Sequence, residues 1–161
     1  MNNKISELVK TFNSIRNDFL LTLNQFPSDR VNEQLFGDWT LKDVIAHFVG
    51  WDKEFTETLL DYSKGIKHEY WGKMYEFNDR VVNASKNKSW KTIYSGFVKS
   101  GSDFIDSYQK VPENHLDTKV WKDKIYTPIR ILEINIHHYE KAQLSKIKKL
   151  VKEYADRQSP Q

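Results

Sequence analysis

Histidine is the residue type in this sequence that best suits acid–base or metal chemistry, and two of the five histidines fall in segments with clear helical spacing. His47 adjoins an apolar stripe and shares its side of a helix with Val44 and Trp51. His138 is adjacent to His137, and only one of this pair can face a core because neighbouring helical residues point about 100° apart. Taken alone, each histidine suits a hydrogen-bonded position at the edge of a core better than a ligand position.

A metal site would require His47 and His138 to converge inside a helical bundle, where helical proteins place such sites. The pair is incomplete for zinc or nickel, because a catalytic zinc ion usually has three protein ligands. Glu133 or Glu140 could add a carboxylate, although the spacing selects neither. We therefore expect no cofactor, with a divalent zinc or nickel ion as the open alternative.

Carboxylates are the remaining candidates for catalysis. The sequence has no cysteine, no glycine-rich phosphate loop, and neither a His-Glu-x-x-His nor a Gly-x-Ser-x-Gly pattern. Acid–base hydrolysis could use Asp52, Glu54 and Glu57. A cluster of charges beside a tryptophan is, however, typical of a solvated face, and we interpret it so.

Four long segments with apolar residues at steps of three and four predict the helices that must position these residues. They span residues 5–23, 41–59, 90–108 and 129–154. A short helix is predicted at 74–82, and the connection before the last long helix is predicted to be irregular. No apolar stretch is followed by an evident hairpin turn, so no strand pair is expected.

Helix boundaries are indicated by a few residues with known terminal preferences. Pro27 should end the first helix. Thr40 is a good N-cap for the second helix, and Asp43 three residues later completes a variant of the capping box. Thr127 and Pro128 should begin the last helix, as N-cap and first helical residue.

The composition is that of one globular domain, with 161 residues, 39% hydrophobic and 29% charged. We predict a single four-helix bundle domain over residues 1–156 and a disordered tail over 157–161. Neither a signal peptide nor a membrane-spanning stretch is evident, which favours a cytoplasmic protein with no membrane partner. Aromatic residues reach 14%, enough both to fill a core and to line a ligand pocket.

Three motifs occur in order along the chain: WTLKDVIAHFVGWD at residues 39–52, Phe77-Asn78, and HHYEKA at 137–142 followed by IKK at 147–149. The first resembles the second-helix motif of the DinB/YfiT-like superfamily, and its GWD ending is similar to the ClbS/DfsB branch. The other two resemble later segments of that branch. The resemblance implies an all-α, DinB-like four-helix bundle with long crossover connections.

The resemblance also bears on the metal site. Metal-binding members of the superfamily use one histidine on the second helix and two, four residues apart, on the fourth. His47 corresponds to the first, and His138 to one of the pair. The other would be at position 134 or 142, where Ile134 and Ala142 cannot coordinate a metal. The resemblance therefore implies a pocket that functions without the three-histidine site.

Our favoured hypothesis is a metal-free pocket between the helices that binds a reactive or toxic small molecule, in a resistance or detoxification role. Hydrolysis of that molecule is a further activity that the sequence leaves open, with His47 as the general base that activates water. An aromatic lining with few polar groups is typical of ligand sites. The expected lining residues are His47, Trp51, Trp71, Asn78, His138 and Tyr139.

Two alternatives belong to other classes. One is a DinB-type metal-dependent hydrolase or thiol transferase with a degenerate histidine site. The other is a non-enzymatic protein, either a homodimer or a DNA-interacting protein. Residues 141–157 contain six cations and two anions, but such a run is more often the solvated end of a helix, so nucleic acid is not the expected partner.

Overall fold

The computed structural model describes residues 3–70 and 72–158, with backbone only at 141, 142 and 158. It is mostly helical, which confirms the predicted class at this level. The helices are α1 (Asn3–Gln25), α2 (Leu41–Ser63), α3 (Met74–Ser85), α4 (Trp90–Tyr108), α5 (Pro128–His137), a π-helical segment (His138–Leu144) and α6 (Ser145–Gln158). Two 3₁₀ turns, Ser28–Arg30 and Glu113–His115, and two strands, β1 (Gln34–Phe36) and β2 (Trp39–Thr40), complete the described elements.

The chain divides into two compact units. Unit 1 is described over residues 3–31 and 130–158, and unit 2 over 32–70 and 72–129. The single domain over residues 1–156 stays a prediction. Helix α6 extends through Gln158, so two residues of the expected tail are helical, while residues 159–161 lie outside the described part. Among the described residues, no helix has both the length and the apolar character needed to cross a bilayer.

Unit 1 has an aromatic core built from α1 and the C-terminal helical segments. Phe12 and Phe19, seven residues apart on one face of α1, are buried. The ring of Tyr139 lies edge-on to both, with centroid distances of 5.6 Å and 5.9 Å. Helix α1 ends at Gln25, two residues before Pro27, as predicted.

The last predicted helix is not continuous, which corrects the sequence interpretation. Residues His138–Leu144 are π-helical and separate α5 from α6. The buried positions Tyr139 and Leu144 are five residues apart. A step of five matches the i→i+5 hydrogen bonding of a π-helix, whereas an α-helix places one face at steps of three and four.

In unit 2, helix α2 begins with the predicted capping box. The Asp43 N–H donates to Thr40 Oγ1 at 3.1 Å, and the Thr40 N–H donates to Asp43 Oδ2 at 2.9 Å. The two bonds satisfy donors that a helix start otherwise leaves open. The start of α2, and therefore the position of His47 two turns later, is fixed locally.

Immediately before α2 lies a short antiparallel hairpin, so the expectation of no strand pair was wrong. Strands β1 and β2 pair across a loop formed by Gly37 and Asp38. Gly37 has φ of +69°, the positive value that a type II′ turn requires at its first central position. The hairpin places Trp39 directly before the N-terminus of α2.

Helices α2 and α4 pack in parallel. Phe48 faces Phe97, Asp52 faces Ser100, and Phe55 faces Phe104. The connection between two parallel helices must cross over, and here it contains α3. Helix α3 approaches α2 closely at Gly50, where a Cβ atom would lie 2.4 Å from Cγ1 of Val81. Glycine at this position therefore permits the close packing of α3 on α2.

Candidate functional site

The six residues expected to line a pocket fall in different parts of the chain. His47, Trp51 and Asn78 belong to unit 2, and the structure brings these three together. His138 and Tyr139 belong to unit 1. Trp71 lies outside the described residues.

His47 is buried in an aromatic environment, with 6% of its surface exposed. Its ring lies 5.2 Å from the Trp39 ring and 6.3 Å from the Trp51 ring, measured between centroids. Phe48, the next residue, adds a third contact at 5.5 Å. His47 therefore lies within the core of unit 2, beside Trp51. The imidazole of His47 is the one acid–base group of this set of rings.

Trp51 is held in a fixed orientation. Its indole Nε1–H donates to Asn78 Oδ1 on α3 at 2.9 Å. Its ring stacks on Phe55 at 5.2 Å with an interplanar angle of 29°, and lies 4.5 Å from Phe77. Despite these contacts, Trp51 and Asn78 are only half-buried. We call Trp39, His47, Trp51, Phe55 and Asn78 the Trp51 cluster.

Asp52, the residue after Trp51, corrects the interpretation of the acidic residues as a solvated face. Its side chain has no exposed surface, and the buried Ser100 Oγ–H donates to its Oδ2 at 2.6 Å. Glu54 is half-buried, and Glu57 alone of the three is exposed. The carboxyl group of Asp52 thus connects α2 to α4. The sequence signal for this role was the spacing of Asp52 from Phe48 and Leu59, which are core residues of α2.

A second group of rings adjoins the Trp51 cluster and was missed by the sequence analysis. Phe55 lies 6.4 Å from Trp121, which lies 5.0 Å from Tyr70 and 6.1 Å from Tyr126. Burial, then the charges of Tyr126 and Glu54, raise the pKa of the Tyr70 phenol. We call Glu54, Tyr70, Trp121 and Tyr126 the Tyr70 cluster. Its members come from α2 and two irregular connections, so no periodic pattern in the sequence unites them.

Tyr139 is a core residue of unit 1. It is 1% exposed, and its hydroxyl accepts a hydrogen bond from Arg16 Nη1. The Arg16 guanidinium carbon also lies 5.0 Å from the centroid of the Tyr139 ring. Arg16 is itself buried and was not anticipated, because an arginine within an amphipathic helix resembles a surface residue.

His138 is half-buried and His137 exposed, in line with the expectation that only one of the pair faces inward. Burial, and then the neighbouring charge of His137, lower the pKa of His138. Glu133 forms ion pairs with Lys4 and Arg130, each at 3.2 Å, and Glu140 is exposed. Within the described residues, no group of three or more potential metal ligands is present.

The basic residues of α6 are partly paired. Lys148 Nζ lies 2.5 Å from Asp18 Oδ2, and Lys149 Nζ lies 4.0 Å from Glu153 Oε1. Lys146 and Lys152 are exposed. Nucleic-acid binding by this face stays an alternative that the sequence analysis did not favour.

The Trp51 cluster thus combines half-buried aromatic rings with one imidazole and a fixed amide–indole hydrogen bond. Such a surface can stack on a planar or apolar molecule and offer it a proton acceptor. Comparison with protein-family models, curated proteins and solved structures found no match for the chain.

Proposed function

We propose that this protein binds a small organic molecule at the Trp51 cluster. The proposal is supported by the fixed orientation and partial exposure of Trp51. Its indole N–H is committed to Asn78, so the ring is fixed in place while part of it remains accessible to solvent. A ring that is already oriented loses little conformational freedom when a ligand stacks on it, which favours binding.

The Trp51 cluster differs from the aromatic core of the same unit. Phe48, Phe97 and Phe104 have exposures of 1% or less. Trp39, Trp51 and Phe55 remain half-buried although each contacts another ring. Large apolar side chains left partly exposed together, rather than singly, are typical of interaction sites.

The resemblance to the ClbS/DfsB branch supports a more specific form of the proposal. In this form the helices build a DinB-like four-helix bundle, and the ligand is a reactive or toxic compound bound without a metal. His47 would accept a proton from an attacking water molecule, and the aromatic rings would hold the electrophile against it. As the water oxygen bonds to a ring carbon of a strained electrophile, the strained ring bond would break, the released atom would take the proton from His47, and the ligand would leave as its water adduct.

Binding can be tested by ligand-observed NMR with a library of fragments that contain fused aromatic rings. Trp51→Phe removes the indole N–H and part of the stacking surface, while His47→Gln removes the imidazole. We expect each change to weaken the binding of the same fragments by about tenfold. Trp90→Phe is the matched control, since Trp90 is a half-buried tryptophan of unit 2 whose ring contacts Tyr94.

Fragments that bind the wild type, Trp51→Phe and Trp90→Phe equally would overturn the proposal. Hydrolysis requires a separate assay, in which epoxides and other strained electrophiles are incubated with the protein and water adducts are measured by mass spectrometry. His47→Gln should then abolish adduct formation, a loss far greater than the roughly tenfold weaker binding expected of a stable aromatic analogue.

A further inference from the structure

The Tyr70 cluster is continuous with the proposed ligand site. Phe55 stacks on Trp51 and also contacts Trp121, at 6.4 Å between ring centroids. Glu54 precedes Phe55 and shares a helix face with Trp51, three residues before it. A molecule stacked at Trp51 would therefore have the Tyr70 cluster beside it.

A cation already lies against this cluster. The ammonium nitrogen of Lys124 is 5.5 Å from the centroid of the Tyr70 ring, within the distance at which a cation is attracted to an aromatic face. Lys124 is exposed, and its side chain can move away without leaving a buried cavity. The structure thus shows a cation-binding position at the Tyr70 ring that is occupied by the Lys124 ammonium group of the same chain.

The charge around the cluster also favours a cation. Residues 50–79, which include α2 beyond Gly50 and the connection to Tyr70, contain seven acidic and four basic side chains. Glu54 is close enough to Tyr70 that its charge contributes, after burial and Tyr126, to the raised pKa of the phenol. Half-buried carboxylates interact more strongly with a nearby cation than exposed ones, because water screens them less.

The backbone around the rings is held by specific hydrogen bonds. The Tyr70 N–H donates to Asp123 Oδ1 at 2.7 Å, and the Lys122 N–H donates to the His68 carbonyl at 3.0 Å. The Val120 N–H donates to the Tyr126 carbonyl at 2.9 Å. Two connections without regular secondary structure are thereby joined, which keeps the three rings of the cluster in place.

We propose that the ligand of this protein carries a positively charged amine or quaternary ammonium group, bound by the Glu54 carboxylate and the aromatic faces of Tyr70 and Tyr126. The ligand cation takes the place of the Lys124 ammonium group. This inference rests on the proposed binding of a small molecule at the Trp51 cluster, and it specifies the chemical class of that molecule.

The test compares phenyltrimethylammonium with tert-butylbenzene, a neutral compound of nearly the same shape, by saturation-transfer NMR on the full chain. We expect wild type to bind the cation about tenfold more tightly. Glu54→Gln should remove this preference. Lys124→Gln should tighten binding of the cation several-fold, because the competing ammonium group is gone.

Lys122→Gln is the matched control, since it removes another exposed positive charge two residues away, and the hydrogen bond of Lys122 to His68 is made by its backbone N–H. Equal affinities for the two probes, or equal effects of Lys124→Gln and Lys122→Gln, would overturn the inference. If both probes bind equally and Trp51→Phe weakens both, the inference fails while the proposed function stands. If neither probe nor any aromatic fragment binds, both fail.

Discussion

Two faces of α2 hold polar side chains in contrasting ways. On the face toward α4, Asp52 is fully buried and accepts a hydrogen bond from Ser100. On the adjacent face, Trp51 donates to Asn78, but both residues remain half-buried. The first bond lies wholly inside the protein and connects two helices. The second orients a ring that a ligand can still reach.

The contrast shows that a buried polar residue is not by itself an indication of function. Asp52 is the most buried acidic residue of α2, yet its position between α2 and α4 gives a substrate no access to it. Trp51 and Glu54 are less buried, and the Trp51 ring stacks on Phe55. Partial exposure combined with a fixed orientation is the better criterion for choosing the aromatic rings on which a ligand can stack in this protein.

The largest expected effect comes from Gly50, where α3 packs on the Trp51 side of α2. Gly50→Ala would place a methyl group 2.4 Å from Cγ1 of Val81, so α3 must shift. We expect a loss of about 2 kcal/mol in the free energy of unfolding, measured by urea denaturation. Gly96→Ala on α4 is the control, because its Cβ would meet Val49 at an ordinary 3.7 Å and should stabilise the helix.

Combining Gly50→Ala with Val81→Ala should recover most of the loss, since the smaller side chain makes room for the methyl group. If the double variant is as unstable as the sum of the single ones, steric conflict at this contact is not the cause.

Ser100→Ala tests the face of α2 toward α4 and should have the next largest effect on the free energy of unfolding. It removes a donor to the buried Asp52 carboxyl group, and we expect a loss of about 1.5 kcal/mol in the free energy of unfolding. Ser107→Ala is the control, because Ser107 is equally buried but donates to the Phe104 carbonyl of its own helix. If both variants lose the same free energy of unfolding, the hydrogen bond between α2 and α4 stabilises the fold no more than a bond within one helix. Ligand affinity should be unchanged in both.

Asn78→Leu should have the opposite pattern, with a small effect on stability and a large one on binding. Loss of the hydrogen bond to Trp51 should cost about 1 kcal/mol of unfolding free energy. The indole N–H resonance of Trp51 should shift in the NMR spectrum, and aromatic fragments should bind several-fold more weakly. Unchanged fragment affinity would mean that the orientation of Trp51 does not matter for binding.

The smallest effect is expected at Asp61, two turns beyond Glu54 on the same face of α2. Hydrogen bonds from His68 and Lys64 lower the pKa of the Asp61 carboxyl group. Because the folded-state pKa is depressed, the resulting stability is present above the unfolded pKa, near 4, and is lost as the pH falls through the folded value. An NMR titration should show the Asp61 midpoint rising in His68→Gln. An unmoved midpoint would exclude His68 as the main cause.

The sequence predicts the helical framework well because its signals are local. The Thr40 capping box and the stop at Pro27 each depend on a few neighbouring residues, and both are present in the structure. The π-helical segment was missed because a five-residue step from Tyr139 to Leu144 resembles a gap in an α-helical pattern. The Gly37-Asp38 turn was also missed, although its residue types suit a tight hairpin.

The candidate site was predictable only in part. The resemblance and the helical spacing indicated His47 and Trp51, and the structure joins Asn78 to them. The Tyr70 cluster depends on contacts between residues far apart in sequence, such as Phe55 with Trp121. Spacing along one helix cannot predict such contacts, because they are set by the path of two irregular connections.

The parallel arrangement of α2 and α4 has a consequence for the order of folding. Asp52 and Ser100 are 48 residues apart in sequence, whereas Trp51 and Asn78 are 27 apart. Closing the longer loop costs more chain entropy, and contacts between distant residues slow folding. We therefore expect α3 to dock on α2 before α4 does, with higher φ-values at the Trp51–Asn78 contact than at Asp52–Ser100. The surface proposed to bind the ligand would then form before the core beneath it is complete.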